Sequence, residues 1–193
     1  MKKISGNLFR KRPGGLDYRE EKCYNQRIKK PARRKRKFDM DVQLKPIAED
    51  NFLEAFNLKL NPDQEKYVSH PVRSLAQAYV YRDQCQPFGI YCGDEMVGYV
   101  MVIYDYDVPE YDIWHMMIDS SRQGRGLGRA ALKRVLEYIG GKPFGDSDRV
   151  ALTCHRDNAA AMALYTSLGF EPTGAEDDDE IEFARSILSL IHI

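Results

Sequence analysis

The sequence predicts a mixed α/β domain, one sheet with helices on its faces, preceded by a basic extension. Three observations carry this. From Met40 onward, strand-like alternation and helix-like apolar periodicity follow one another in the order β-α-α-β-β-β-α-β-α-β-β. The formal charge is zero over 193 residues but divides: residues 1 to 39 hold fifteen Lys or Arg and four Asp or Glu, a net of +11, and the remainder carries −11. A glycine-rich loop, "QGRGLGR" at 123–129, stands between a strand pattern and a helix pattern.

The elements follow in order. "VQLKPIA" alternates as a first strand, and Asn51 offers an N-cap before "FLEAFNLKL", where Phe52, Phe56 and Leu60 share a face until Asn61-Pro62. "VRSLAQAYVYRD" gives a second helix. "PFGIYC", the turn "GDE" and "MVGYVMVIYDYD" form a hairpin; Pro109 interrupts, and "YDIWHMMID" supplies the next strand. After the glycine loop, Ala131, Leu132, Val135, Leu136 and Ile139 make one apolar helical face opposite Lys133, Arg134 and Glu137. "RVALTCH" is a strand, "NAAAMALYTSL" a helix stopped by Gly169, and "FEPTG" with "EIEFARSIL" closes the sheet.

Composition excludes several classes. Residues 1–39 have few large apolar side chains and no sustained period, so they are expected to form a disordered basic extension, with the folded unit at 40–193 and Met40 as an alternative translation start. Fifteen cations there could meet RNA or DNA phosphates without reading sequence, since no base-stacking platform accompanies them. Cysteines 23, 85, 92 and 154 show neither disulfide nor zinc spacing, which points to reduced thiols, a cytoplasmic setting and no metal. No apolar stretch reads as an export signal or a membrane span.

The glycine loop carries the chemistry. A strand, a glycine loop and a helix N-terminus present unpaired N–H groups and the positive end of a helix dipole to an anion, and Arg122, Arg125 and Arg129 add charge. That arrangement suits a pyrophosphate, although a purely structural turn has the same look. The loop lacks the Lys-Ser/Thr ending of the nucleotide P-loop and the spacing of the dinucleotide fingerprint.

Gln123-x-x-Gly126-x-Gly128, followed about thirty residues on by "NAAAMALYTSLGFEP", resembles the GNAT superfamily of acetyl-CoA-dependent N-acetyltransferases over roughly residues 41–185. "SLAQAYVYRD", "MVGYVMVIYD" and "EYDIWHMMID" are similar, less specifically, to its bacterial spermine/spermidine branch. The resemblance implies the acyl-CoA N-acyltransferase fold, a mostly antiparallel mixed sheet splayed at its central strands. It implies acetyl-CoA as co-substrate, with backbone groups of Met117 and Ile118 pairing with the pantetheine arm. Gln123, Gly124, Arg125, Gly126, Gly128 and Arg129 would hold the pyrophosphate, and Asn158 would bond the pantetheine. Tyr165 would protonate the departing CoA thiolate, the alternative being a helix-packing aromatic.

An amine must lose a proton before it attacks a thioester. Where some polyamine acetyltransferases carry a glutamate this chain has Trp114, so Glu110 or Asp112 acting through water is expected to accept that proton. His115 ranks behind them, because strict alternation with Asp112, Trp114 and Met116 turns it to the opposite face. Asp105, Asp107 and Trp114, with tyrosines 104, 106 and 111, suit a cationic amine substrate such as spermidine or spermine. Other acceptors, a protein N-terminus or an aminoglycoside, stay open, as does a non-catalytic acyl-CoA sensor with a nucleic-acid-binding tail. The family's frequent homodimers leave pairing open as well.

Overall fold

A computed structural model describes residues 41–187. The basic segment 1–39 lies outside them. The elements are β1 Val42–Pro46, α1 Phe52–Phe56, α2 Pro71–Val80, β2 Cys85–Cys92, β3 Glu95–Asp105, β4 Glu110–Ile118, α3 Leu127–Gly140, β5 Arg149–His155, α4 Ala159–Thr166, β6 Glu171–Asp177 and β7 Glu180–Ser186. They form one sheet in the order β1-β2-β3-β4-β5-β7-β6. Every neighbouring pair is antiparallel except β4 and β5.

That one parallel pair sets the architecture. It registers only Tyr111 with Val150 and Asp112 with Ala151, so the remainder of β4 diverges from β5 and leaves a wedge between them. Apolar residues on one side of the sheet, including Val100, Val102, Tyr111 and Ile113, pack against the predicted face of α3: Ala131, Leu132, Val135, Leu136 and Ile139. The other side holds Tyr99, Met101 and Met117 against Ala55, Leu58 and Ala78 of the α1–α2 layer.

Two local differences from the sequence reading have simple causes. Helix α1 stops at Phe56, and Asn51, though at its N-cap position, makes no capping bond. Its side chain instead accepts from Ala48 N at 2.8 Å and donates to Pro46 O at 3.0 Å, tying the helix to β1. Helix α2 begins one residue early, at Pro71, because the fixed proline φ suits a first helical position and His70 Nδ1 accepts from Val72 N at 3.2 Å.

Candidate active site

The wedge opens into a cavity of about 700 Å³. Its walls are β4 from Ile113 to Ile118, the glycine loop with the start of α3, the β5–α4 turn and α4 to Tyr165, and the α1–α2 connection at 64–70. Each wall is placed by a local rule. Gly124 and Gly126 have φ of +73° and +80°, a left-handed backbone that side chains disfavour, and this turns the chain into α3. Gly126 caps α3 without a side-chain hydrogen bond, so the first N–H groups of the helix have no capping acceptor among the described residues. Gly128 has a different reason: a Cβ there would lie 3.5 Å from Leu164 Cδ2 and 3.8 Å from Ile118 Cγ1, so it faces α4 and β4 instead of the space over the helix end.

The remaining predicted cofactor residues divide. Met117, Ile118, Gln123 and Asn158 line the cavity; Arg125 and Arg129 do not. Arg125 reaches Ser121 O at 3.1 Å, and Arg129 bonds Ser167 Oγ at 2.6 Å, clamping α3 to the end of α4. Gln123 Nε2 donates to Ile118 O at 2.9 Å and to Gln64 Oε1 at 2.9 Å, tying the loop to β4 and to the α1–α2 connection. Asn158 Oδ1 accepts from Ala161 N at 3.2 Å and caps α4.

Tyr165 sits at the far wall, half-buried, its ring tilted against Phe170 and Phe183 at 6.0 and 6.3 Å. Burial, with the Cys154 thiol beside it, raises its pKa above the usual phenol range, so the hydroxyl keeps its proton. Cys154 is buried on the same wall, and burial pushes its thiol up to about 11, too high for a ready nucleophile.

The alternation argument fails on β4. The register with β3 runs Met101 to His115 and then Val102 to Ile113, so Trp114 is an extra, bulged residue. Beyond the bulge the faces exchange: Met116 joins the α3 side, and His115 stays on the α1–α2 side with Asp112 and Trp114. The Trp114 and His115 rings stack at 5.2 Å, both on the cavity wall. His115 Nδ1 lies 2.9 Å from Oγ of Ser74, which is fully buried. Burial first, then the charge of Arg73, lowers the His115 pKa to about 4, leaving the ring neutral near pH 7.

The predicted carboxylates lie elsewhere. Asp105 Oδ1 accepts from Asp107 N and Val108 N, building the β3–β4 turn, and Asp107 is exposed there. Glu110 is ion-paired with Arg149. Neither these three nor Asp112 lines the cavity. Sequence reading missed Lys66, Tyr67, Arg73, Thr153, His155 and Glu180, which do. Among the described residues no group of three or more His, Cys, Asp or Glu could hold a metal, and no helix is long and apolar enough to cross a membrane.

A family model described as the acetyltransferase (GNAT) family matches residues 47–170, which hold all the lining residues named above except Glu180. The chain belongs to that family. Among GNAT relatives, the spermine/spermidine N(1)-acetyltransferase of Bacillus subtilis (strain 168) is 26% identical over 147 residues, 72% of this chain and 93% of its own. The N-alpha-acetyltransferase RimI of Mycobacterium tuberculosis is 35% identical over 88 residues, 45% of this chain and 52% of its own. In fold, the chain is similar to the spermidine N-acetyltransferase of Vibrio cholerae in complex with CoA and spermine: TM-score 0.64, 18% identity, 78% of this chain and 98% of that one. The ribosomal-protein-S18-alanine N-acetyltransferase of Escherichia coli gives a TM-score of 0.57 at 21% identity, over 76% of this chain and 94% of that one. In the GNAT cavity the strand edge left open by β5 and a helix N-terminus without a side-chain cap stand together.

Proposed function

We propose that this acetyltransferase moves the acetyl group of acetyl-CoA onto a primary amine of a polyamine, spermidine or spermine, by direct attack with both substrates bound. The observation that carries the reading is that one cavity joins the β4 edge, the glycine loop, Tyr165 and His115. Relatives named for spermine and spermidine support the amine class.

Acetyl-CoA supplies an activated acyl carbon; the chain's own residues do the rest. N–H groups at the start of α3, with the left-handed Gly124 and Gly126, would hold the pyrophosphate. Backbone groups of Met117 and Ile118, where β4 has left β5, would take the pantetheine amides as a strand takes its neighbour. Asn158 would add a side-chain contact at the start of α4. Tyr165, protonated throughout the physiological range, would give its proton to the leaving sulfur. His115, neutral and on the cavity wall, would relay the amine's proton, with Ser74 as its positioning residue. Glu110 and Asp112 sit off that wall and are set aside for this step.

A protein N-terminal amine is the second reading, favoured by the mixed charge of the wall, which holds Lys66 and Arg73 as well as Glu65 and Glu180. The free thiols Cys85, Cys92 and Cys154 support a reducing, cytoplasmic setting. Thiol release by the full chain, with spermidine, spermine, an aminoglycoside and a peptide amine in parallel, tests all of this. Preferential release with polyamines supports the reading. Turnover confined to the peptide moves it to the second, and acetyl-CoA binding without turnover on any amine ends both.

A further inference from the structure

Helix α2 is apolar on two sides, and the sheet covers only one of them. Its buried residues are Pro71, Ser74 and Ala78, and Ala78 packs in the layer with Tyr99 and Met101. Val72, Ala76, Tyr79 and Val80 recur at the i, i+4, i+7 and i+8 positions of the opposite side. Val72 is 48% exposed, Tyr79 74% and Val80 68%, and Ala76 between them is exposed as well. Single apolar residues are ordinary at a surface. A continuous stripe on a helix whose inner side is already packed is a different case, because a helix apolar all round is one that is covered all round.

The charges at the two ends of the stripe indicate what covers it. Arg73 stands near its N-terminal end and Asp83, in the turn after the helix, at its C-terminal end. Both are exposed, and among the described residues neither makes a side-chain hydrogen bond or ion pair. A helical rise over that separation puts them about 15 Å apart, too far to pair within one copy. Two copies of α2 packed antiparallel about a two-fold axis bring each beside the other, whereas a parallel packing would set arginine against arginine. With the axis at Ala76, whose small side chain lets the helices come within about 8 Å, Val72 meets the partner's Val80. Arg73 then lies against the ring of the partner's Tyr79, where guanidinium and ring face attract, with the partner's Asp83 one turn further along.

We infer that the outer face of α2 is the contact surface of a symmetric homodimer of this chain. The four apolar side chains, with a rim of Arg73, Arg82 and Asp83, approach the roughly 600 Å² per partner at which specific interfaces begin. A contact of that size belongs to a reversible dimer. It also reaches the active site: His70 and Arg73 line the cavity, and Ser74, the hydrogen-bond partner of His115, follows on the inner side of the same turn. The partner's Tyr79 and the partner's Asp83 therefore stand at the cavity rim beside Arg73, and the second copy adds to the wall of the site. This holds whichever amine is the acceptor.

Sedimentation equilibrium of the full chain, from micromolar to submillimolar concentration, tests the inference. In high salt, which screens charge attraction and leaves apolar contact standing, the mass is expected to rise from 22.3 kDa toward twice that value as concentration increases. Ala76→Glu, which sets two carboxylates against each other at the axis, should weaken the dimer by at least about tenfold. In low salt, Arg73→Glu and Asp83→Arg should each weaken it about tenfold, since the symmetry repeats each loss at two places, and the double variant should restore it. All three positions are exposed, so thermal melts of the variants should match wild type. A chain that stays at 22.3 kDa throughout, a dimer indifferent to Ala76→Glu, or a double variant no better than the singles overturns the inference and leaves the acetyl-transfer reading standing.

Discussion

At the scale of single residues, Tyr165 carries the sharpest chemical claim, and its surroundings separate chemistry from packing. Its ring contacts Phe170 and Phe183, contacts that phenylalanine keeps, while only the hydroxyl can donate a proton. Tyr165→Phe is therefore expected to lower kcat by about 10²- to 10⁴-fold, with the melting temperature within about 2 °C of wild type. Steady-state kinetics alongside a thermal melt decide it: a collapse in stability with a proportionate loss of activity would make the residue a packing aromatic. The pH profile adds a second readout. Because burial raises the Tyr165 pKa, the acid form persists through the working range, and no alkaline fall in kcat below pH 9 should be traceable to it.

At the scale of elements, the glycines of the loop are not equivalent. Gly126 holds φ +80° at the N-cap of α3, where an alanine would be strained, whereas Gly128 has ordinary backbone angles and room for a methyl group at van der Waals distance from Leu164. Gly126→Ala should lower stability by about 1 kcal/mol and raise the KM for acetyl-CoA, since it reshapes the helix end. Gly128→Ala should leave the melting temperature level or slightly higher. Equal destabilisation by the two would mean that the loop is not held as described. Elements also show what the sequence made legible. The face of α3 and the order of strands were readable because apolar periods of 3.6 and 2 persist over several turns or pairs. The bulge at Trp114 was not, because one extra residue leaves the composition of β4 unchanged while exchanging every side chain after it. That single shift returned His115 to the face of Asp112 and Trp114. The 64–70 wall was hidden for another reason: it has no period, and it meets the site through long-range contacts such as Gln64 to Gln123 and Lys66 to Asp157. Asp105 and Glu110 looked like substrate or proton groups until a turn and an arginine occupied them.

At the scale of the whole molecule, two titrations of opposite sign meet on one face of the sheet. His115 has its folded pKa lowered to about 4 from an ordinary 6.5, so between those values the unfolded chain binds the extra proton and stability rises with pH. Asp112 has its folded pKa raised to about 7 from 3.8, so between those values the folded chain binds the extra proton and stability falls as pH rises. The windows overlap almost completely, and each group opposes the other by up to about 1.4 kcal/mol per pH unit. Variants should expose what wild type cancels. The stability of Asp112→Asn relative to wild type should grow between pH 4 and 7 and then level off, because the uncharged amide no longer loses ground as pH rises. His115→Asn should show the reverse, a relative advantage at pH 4 that vanishes by pH 7. Urea unfolding at intervals across this range gives both differences, in which ionisations shared by all three proteins drop out. Parallel curves for the three would mean that neither group is enclosed as the register and the bulge require, and the His115 relay would fall with them.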